Sequence, residues 1–146
     1  MKIAIASDHG GFALKEILKE KLDKDNIEFQ DFGTYSEDSV DFGPFAKKTA
    51  EAVAEGKFER GILICGTGIG MSIMANKVKG IRAALVHDVF SAEATRAHNN
   101  SNLITMGARV IGEELAKKII EVWLNTEFDG GRHQRRIDYI TEFEKN

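Results

Sequence analysis

The chain has 146 residues, of which 42% are hydrophobic and 29% charged, and it contains one cysteine. These values predict one soluble domain with a substantial core and exclude an internal disulfide. The net charge of −3 argues against a nucleic-acid-binding surface, and no apolar run reaches the roughly 18 residues of a membrane span. The chain turns polar at Ser7, too early for a signal peptide, so a cytoplasmic protein is expected.

Short β-type runs alternate with helical patterns along the chain. Strands are predicted at residues 2–6, 27–32, 62–65, 81–87 and 103–106. Helices are predicted over residues 14–22, 45–53, 71–78, 90–98 and 115–123, with a polar helical segment after residue 131. Residues 33–44, which include the single proline, are predicted to form a loop. Five consecutive βα units predict a single-domain, three-layer α/β/α sandwich around a five-stranded parallel, Rossmann-like sheet.

Polar residues follow the ends of three predicted strands. Asp8 and His9 follow the first strand, Cys65 ends the third, and His87 and Asp88 follow the fourth. Open parallel sheets bind ligands outside the carboxyl ends of their strands, near the point where the strand order reverses. One pocket at this edge is therefore predicted to gather these residues.

The stretch after Cys65 reads Gly66-Thr67-Gly68-Ile69-Gly70 and leads into a predicted helix. Bare backbone N–H groups and the helix dipole can bind an anion there, and the same field is expected to favour the thiolate of Cys65. The alternative is a tight turn that needs small residues beside a buried cysteine. Because Met71 follows, the stretch does not match a dinucleotide fingerprint, a P-loop or a Cys-x5-Arg phosphatase.

Histidine and arginine supply the remaining candidates. His98 either ends a helix or acts as a general acid or base. Arg132 and Arg136 share a helical face and either bind phosphate or form a solvated surface. Cys65, His9 and His98 could meet at the sheet edge, but no ligand spacing supports a metal site.

Taken together, these motifs resemble the B-type ribose-5-phosphate isomerases and their sugar-phosphate isomerase relatives, from residue 3 to about residue 142. The resemblance is carried by Ser7-Asp8-His9-Gly10-Gly11, Asp31-Phe32-Gly33-Thr34, the Cys65–Gly70 stretch, Ala75-Asn76-Lys77, Arg96-Ala97-His98-Asn99, Gly107-Ala108-Arg109 and Gly130-Gly131-Arg132-His133.

The resemblance implies interconversion of ribose 5-phosphate and ribulose 5-phosphate without a metal or an organic cofactor. Cys65 would move a proton between C1 and C2 of the opened sugar, and His98, with Thr67 nearby, would open the ring. The backbone N–H groups that would stabilise the enediolate are those of Gly66, Gly68, Ile69 and Gly70.

The resemblance also assigns binding roles and an assembly. Asp8 and His9 would line the sugar, Asn99 would contact its hydroxyls, and the phosphate side would be formed by Arg109, Arg132 and Arg136. It implies a homodimer or a dimer of dimers, in which the helical segment from about residue 132 reaches a partner's site. No nucleic acid or membrane is expected as a partner.

One departure from the family pattern is Phe42, which stands where a tyrosine is expected. This departure affects the assignment of the substrate more than the assignment of the reaction. The alternatives are an isomerase of a six-carbon sugar phosphate or of a free rare sugar, and a non-catalytic nucleotide- or sugar-phosphate-binding module.

Overall fold

The computed structural model describes residues 1–146 and contains a five-stranded parallel sheet flanked by helices. The strands are β1 (Lys2–Ser7), β2 (Glu28–Asp31), β3 (Arg60–Cys65), β4 (Ala83–Leu85) and β5 (Leu103–Gly107). The helices are α1 (Phe12–Lys24), α2 (Phe42–Ala54), α3 (Ile69–Ala75), α4 (Val89–Ala97), α5 (Glu113–Asn125) and α6 (Arg132–Glu144). The predicted α/β/α sandwich is confirmed. None of these helices combines the length and the hydropathy that a membrane crossing requires.

The order of the strands creates a crevice at one edge of the sheet. The order is β2-β1-β3-β5-β4, and every neighbouring pair is parallel. Ile3 and Ile5 of β1 share a core with α1 and α5, whereas Ala4 and Ala6 share the opposite core with α2 and α3. The helices that follow β1 and β3 therefore leave towards opposite faces, and the loops between strand and helix border a crevice.

Three predicted boundaries are wrong, each for a local reason. Helix α2 begins at Phe42, because Pro44 lies in the first turn, where its missing N–H has no intrahelical partner to lose. Helix α3 ends at Ala75, where the Asn76 side chain bonds both backbone groups of Ala83 (2.8 and 3.0 Å). Strand β4 has only three residues, because Ile81 belongs to the preceding turn.

A buried ion pair holds the segment that follows β2. Lys15 is fully buried on α1, and its Nζ donates to Asp31 Oδ1 (2.7 Å), Asp31 Oδ2 (2.9 Å) and the carbonyl of Thr34. Two backbone hydrogen bonds join this segment to β1: Ser7 N donates to the Gly33 carbonyl (2.7 Å), and Thr34 N donates to the Ser7 carbonyl (2.7 Å). The end of β1, next to Asp8 and His9, is thus tied to the loop from Asp31 onwards.

Candidate active site

The loops after β1 and β3 meet in the crevice, as the sequence predicts. A Cβ atom on Gly10 would lie 3.3 Å from the backbone nitrogen of Gly66. Asp8 Oδ1 accepts a hydrogen bond from Gly11 N (3.1 Å), so Asp8 caps the short turn that follows β1. Two glycine-rich backbones therefore approach each other closely beside Cys65.

The turn between β3 and α3 requires glycine at position 68. Gly68 has a φ of 76°, and a Cβ atom there would lie 2.7 Å from the backbone carbon of Met106. The hydroxyl of Thr105 donates to the Gly68 carbonyl (2.9 Å), which anchors the turn to β5. The tight-turn interpretation is therefore correct, and it coexists with a loop whose backbone is held in one conformation.

Cys65 lies at the base of this turn. Its side chain is 5% exposed, and its Sγ accepts a hydrogen bond from Gly68 N (3.0 Å). The N–H groups of Gly66 and Gly70, by contrast, donate to no atom of the protein. Open backbone donors beside a sulfur atom form a place where negative charge on a ligand is stabilised.

The end of β5 brings Arg109 to the same loop. Arg109 N donates to the Gly66 carbonyl (3.0 Å), and Arg109 Nη1 lies 3.2 Å from the position of a Cβ atom on Gly66. The Arg109 side chain is exposed at the mouth of the crevice. A guanidinium group therefore stands beside the open N–H of Gly66.

His87 supports this end of β5, a role that the strand-end pattern did not predict. Gly107 N donates to His87 Nε2 (2.9 Å), and Gly107 pairs with Cys65 in the sheet. Burial lowers the pKa of His87, although the nearby Asp88 acts in the opposite direction. The neutral imidazole is thus the form that holds Gly107, because a protonated ring could not accept this bond.

His9 and Phe42 complete the crevice wall. The Nδ1 of His9 accepts from Val40 N (3.1 Å), which ties the loop before α2 to the end of β1. The ring of Phe42 lies against Gly70, where an added Cβ atom would come within 2.6 Å of it. Phe42, which stands where the family pattern has tyrosine, thus contacts the glycine loop directly.

His98 and Asn99 lie elsewhere in the chain, at the opposite edge of the sheet from Thr67. Helix α4 runs from the carboxyl end of β4 back to its amino end, where Arg82 Nε donates to the Asn99 carbonyl (3.1 Å). Thr67 follows β3 at the opposite edge. The four residue steps of β5 alone separate the two edges by about 13 Å.

At this second edge His98 joins residues of α6. The rings of His98 and His133 stack with centroids 4.4 Å apart and an interplanar angle of 12°. His98, Asn99, His133 and Arg136 line a cleft of about 270 Å³. Desolvation lowers the pKa of His133, and the positive charges of His98, Arg132 and Arg136 add to the effect. We call His98, Asn99, His133 and Arg136 the α6 group.

The predicted site residues therefore lie in two places within one chain, because His98, Asn99, Arg132 and Arg136 lie on or beside α6. Those at the carboxyl ends of the strands are Asp8, His9, Cys65, Gly66, Thr67, Gly68, Ile69, Gly70 and Arg109; we call them the loop group. Of the three residues weighed for a metal site, Cys65 and His9 lie in the loop group and His98 does not.

Comparison with known proteins decides the family. A sequence model of the family described as Ribose/Galactose Isomerase matches residues 3–140. The chain belongs to this family. It is thus an isomerase, as the motif resemblance predicted.

Individual members are similar over almost their whole length. A ribose-5-P isomerase B from Listeria innocua is 48% identical over 99% of this chain and 98% of its own. A D-erythrulose-4-phosphate isomerase from Pectobacterium atrosepticum is 45% identical over 99% and 95%, respectively.

Solved structures of the family share the fold. Ribose-5-phosphate isomerase B from Clostridium thermocellum superposes with a TM-score of 0.98 at 50% identity, covering 99% of this chain and 98% of its own. The Mycoplasma genitalium enzyme with bound ribulose-5-phosphate gives a TM-score of 0.95 at 41% identity, covering 99% and 97%.

Proposed function

We propose that the protein interconverts ribose 5-phosphate and ribulose 5-phosphate, with Cys65 as the base. The observation that carries the proposal is that Cys65 Sγ accepts from Gly68 N, in a loop whose Gly66 and Gly70 N–H groups donate to no protein atom. In the aldose-to-ketose direction the Cys65 thiolate takes the proton from C2 and the carbonyl oxygen at C1 gains negative charge. The Cys65 thiol then returns the proton to C1 of the resulting enediolate, the proton of the C2 hydroxyl passes to the C1 oxygen, and the carbonyl forms at C2.

The glycine loop is suited to the charge that develops in this reaction. A sugar C2–H is a weak acid, so the enediolate oxygen must be stabilised while it forms. One oriented oxyanion donor is typically worth about 3–4 kcal/mol, and a positioned general base contributes roughly 10²–10⁴ in rate. The donors of Gly66 and Gly70 are already held in place by the anchors at Gly68 and Arg109, so little reorganisation is needed.

The complete site is proposed to need two chains, as a homodimer or a dimer of dimers. The ring-opening role proposed for His98 requires it to reach the sugar bound at Cys65, but the two residues lie at opposite edges of one sheet. A partner that contributes its α6 group to the loop group resolves this separation. A two-fold axis would then generate two identical sites.

Exposed apolar residues border both groups, which supports such an interface. On α6, only His133 and Ile137 are buried, whereas Tyr139, Ile140 and Phe143 are exposed to solvent. Beside the glycine loop, Ile69 and Ile73 are exposed on α3. Exposed large apolar side chains within one or two turns of a helix supply the kind of surface that protein interaction sites use.

Phosphate recognition is assigned to Arg109 of one chain and to Arg132 and Arg136 of its partner. All three side chains are exposed, and the two on α6 are one helical turn apart. The names of the relatives include a ribose-5-P and a D-erythrulose-4-phosphate isomerase, which share a phosphorylated sugar. A phosphate anchor distant from the reacting carbons suits sugars of both lengths.

The reaction is tested by proton NMR of the purified protein with ribose 5-phosphate in D2O, compared with Cys65→Ser and Cys65→Ala. We expect ribulose 5-phosphate with deuterium at carbon, and no turnover by either variant at unchanged circular dichroism. Turnover by Cys65→Ala would refute Cys65 as the base.

The same assay separates the alternatives. Turnover of a six-carbon sugar phosphate but not of ribose 5-phosphate would refute the substrate and retain the chemistry. Binding of sugar phosphates without any turnover would instead indicate a non-catalytic module.

A further inference from the structure

Two histidines and a carboxylate come together beside the start of α6. Ligand atoms of His98, Asp129 and His133 all lie within 4.8 Å of one another. The residues come from the end of α4, the segment before α6 and α6 itself. No short sequence motif joins them, because 34 positions separate the two histidines along the chain.

Backbone hydrogen bonds hold the segments that carry these three residues close together. Asp129 N donates to the carbonyl of Ala97, the residue before His98 (3.0 Å), and His133 N donates to the Gly130 carbonyl (3.1 Å). His133 is buried, whereas the side chains of His98 and Asp129 are exposed. The Asp129 carboxylate makes no hydrogen bond or ion pair within the protein.

We propose that His98, Asp129 and His133 form an inhibitory binding site for a divalent transition metal, best represented by Zn²⁺. Two imidazoles and one carboxylate are a common Zn²⁺ ligand set, with an open fourth position for water. Tetrahedral coordination needs ligand atoms about 3.3 Å apart, so rotation of the two exposed side chains must bring them closer. The stack of the two histidine rings opens when the metal binds.

The charges around the cluster set the character of the site. Arg132 and Arg136 lie near His133 and repel a cation, whereas Asp129 supplies the one negative charge within the cluster. Such a site takes up a metal reversibly, and it competes with a phosphorylated ligand for the same arginine-lined cleft.

Inhibition follows from the overlap with the α6 group, and this step rests on the proposed function. A metal on His98 removes the group assigned to ring opening and occupies the cleft lined by Arg136. Metal binding itself does not depend on that assignment, so the two are measured separately.

The test uses Asp129→Asn, with Asp138→Asn as the matched control. Asp138 is an exposed α6 carboxylate that accepts from Gln134 (2.7 Å), so its replacement changes the net charge of the protein by the same amount. Neither residue is assigned to catalysis or substrate binding.

Binding is measured first, with Co²⁺ as a spectroscopic probe and Zn²⁺ in competition. We expect tetrahedral Co²⁺ absorption bands that Zn²⁺ displaces in wild type and Asp138→Asn, and at least about tenfold weaker binding in Asp129→Asn. Zinc should inhibit sugar-phosphate turnover in wild type and Asp138→Asn, and much less in Asp129→Asn.

Two results would overturn the proposal. One is the absence of Co²⁺ bands from the wild-type protein. The other is zinc binding of equal strength in Asp129→Asn, which would assign the metal to another group such as Cys65. If the wild-type protein turns over no sugar but binds the metal in a way that depends on Asp129, the proposed function is refuted and the metal site is retained.

Discussion

Replacing Lys15 by methionine should destabilise the protein more than replacing any exposed charged residue. The Nζ of Lys15 gives three hydrogen bonds, two of them to Asp31, and the side chain is fully buried. Removing one partner of a buried ion pair typically costs about 3–5 kcal/mol. Asp31 would keep the N–H of Gly33 (2.8 Å) and Lys19 (2.9 Å), so we expect about 3 kcal/mol.

Urea unfolding followed by circular dichroism measures this loss at a fixed protein concentration, because an oligomer's stability depends on concentration. The control is Lys19→Met, which removes a half-exposed partner of the same carboxylate and should cost about 1 kcal/mol or less. Equal losses in the two variants would refute the reasoning. So would a stabilised Lys15→Met, since methionine is the apolar replacement of similar length.

The ion pair of Lys15 and Asp31 also predicts that the free energy of unfolding depends on pH. Burial alone would raise the pKa of Asp31, but hydrogen bonds from Lys15, Gly33 and Lys19 outweigh it and hold the pKa below its ordinary value. A carboxyl with a lowered pKa in the folded state stabilises the protein above its unfolded-state pKa of about 3.9. The difference between wild type and Lys15→Met should therefore shrink as the pH falls below about 4 through this lowered value.

Three further predictions concern the site. Gly68→Ala would force a Cβ atom against Met106 at a positive φ; we expect a loss of more than about 1 kcal/mol in urea unfolding and a large fall in kcat, and an unchanged kcat would contradict the fixed loop. His87→Ala frees Gly107 N and loosens the turn that presents Arg109. It should lower kcat roughly ten- to hundredfold and cost about 1–3 kcal/mol in urea unfolding, because the buried Gly107 N–H loses its acceptor; an unchanged kcat would show that His87 supports only the fold. Arg136→Ala should raise KM for a phosphorylated sugar about tenfold or more, whereas Arg135→Ala should leave it unchanged; equal effects would remove Arg136 from phosphate binding.

The sequence was sufficient for the architecture and for the loop group. Five βα units prescribe a parallel sheet, and residues that follow strand ends must lie at its carboxyl edge, so the meeting of Asp8 with Cys65 was predictable. The predicted start of α2 is three residues late, because Pro44 favours a loop in the sequence pattern although proline is tolerated in the first turn of a helix.

The ion pair and the division of the site depend on tertiary structure. Lys15 and Asp31 lie on separate elements, and no local pattern marks a lysine that will be buried. The separation of His98 from Thr67, by contrast, can be read from the order of the predicted strands and helices. Every crossover helix returns the chain to the amino edge, so a residue at the end of α4 cannot lie beside a residue at the end of β3.

The shared site is tested most directly by mixing two inactive variants, Cys65→Ala and His98→Ala, under conditions that allow subunits to exchange. In a mixed dimer one site keeps both intact groups and the other has neither. Random exchange therefore predicts recovery of about a quarter of wild-type activity, because half of the dimers are mixed and each has one working site. A mixture that exchanges subunits, shown by native mass spectrometry, and stays inactive would contradict a site built from two chains.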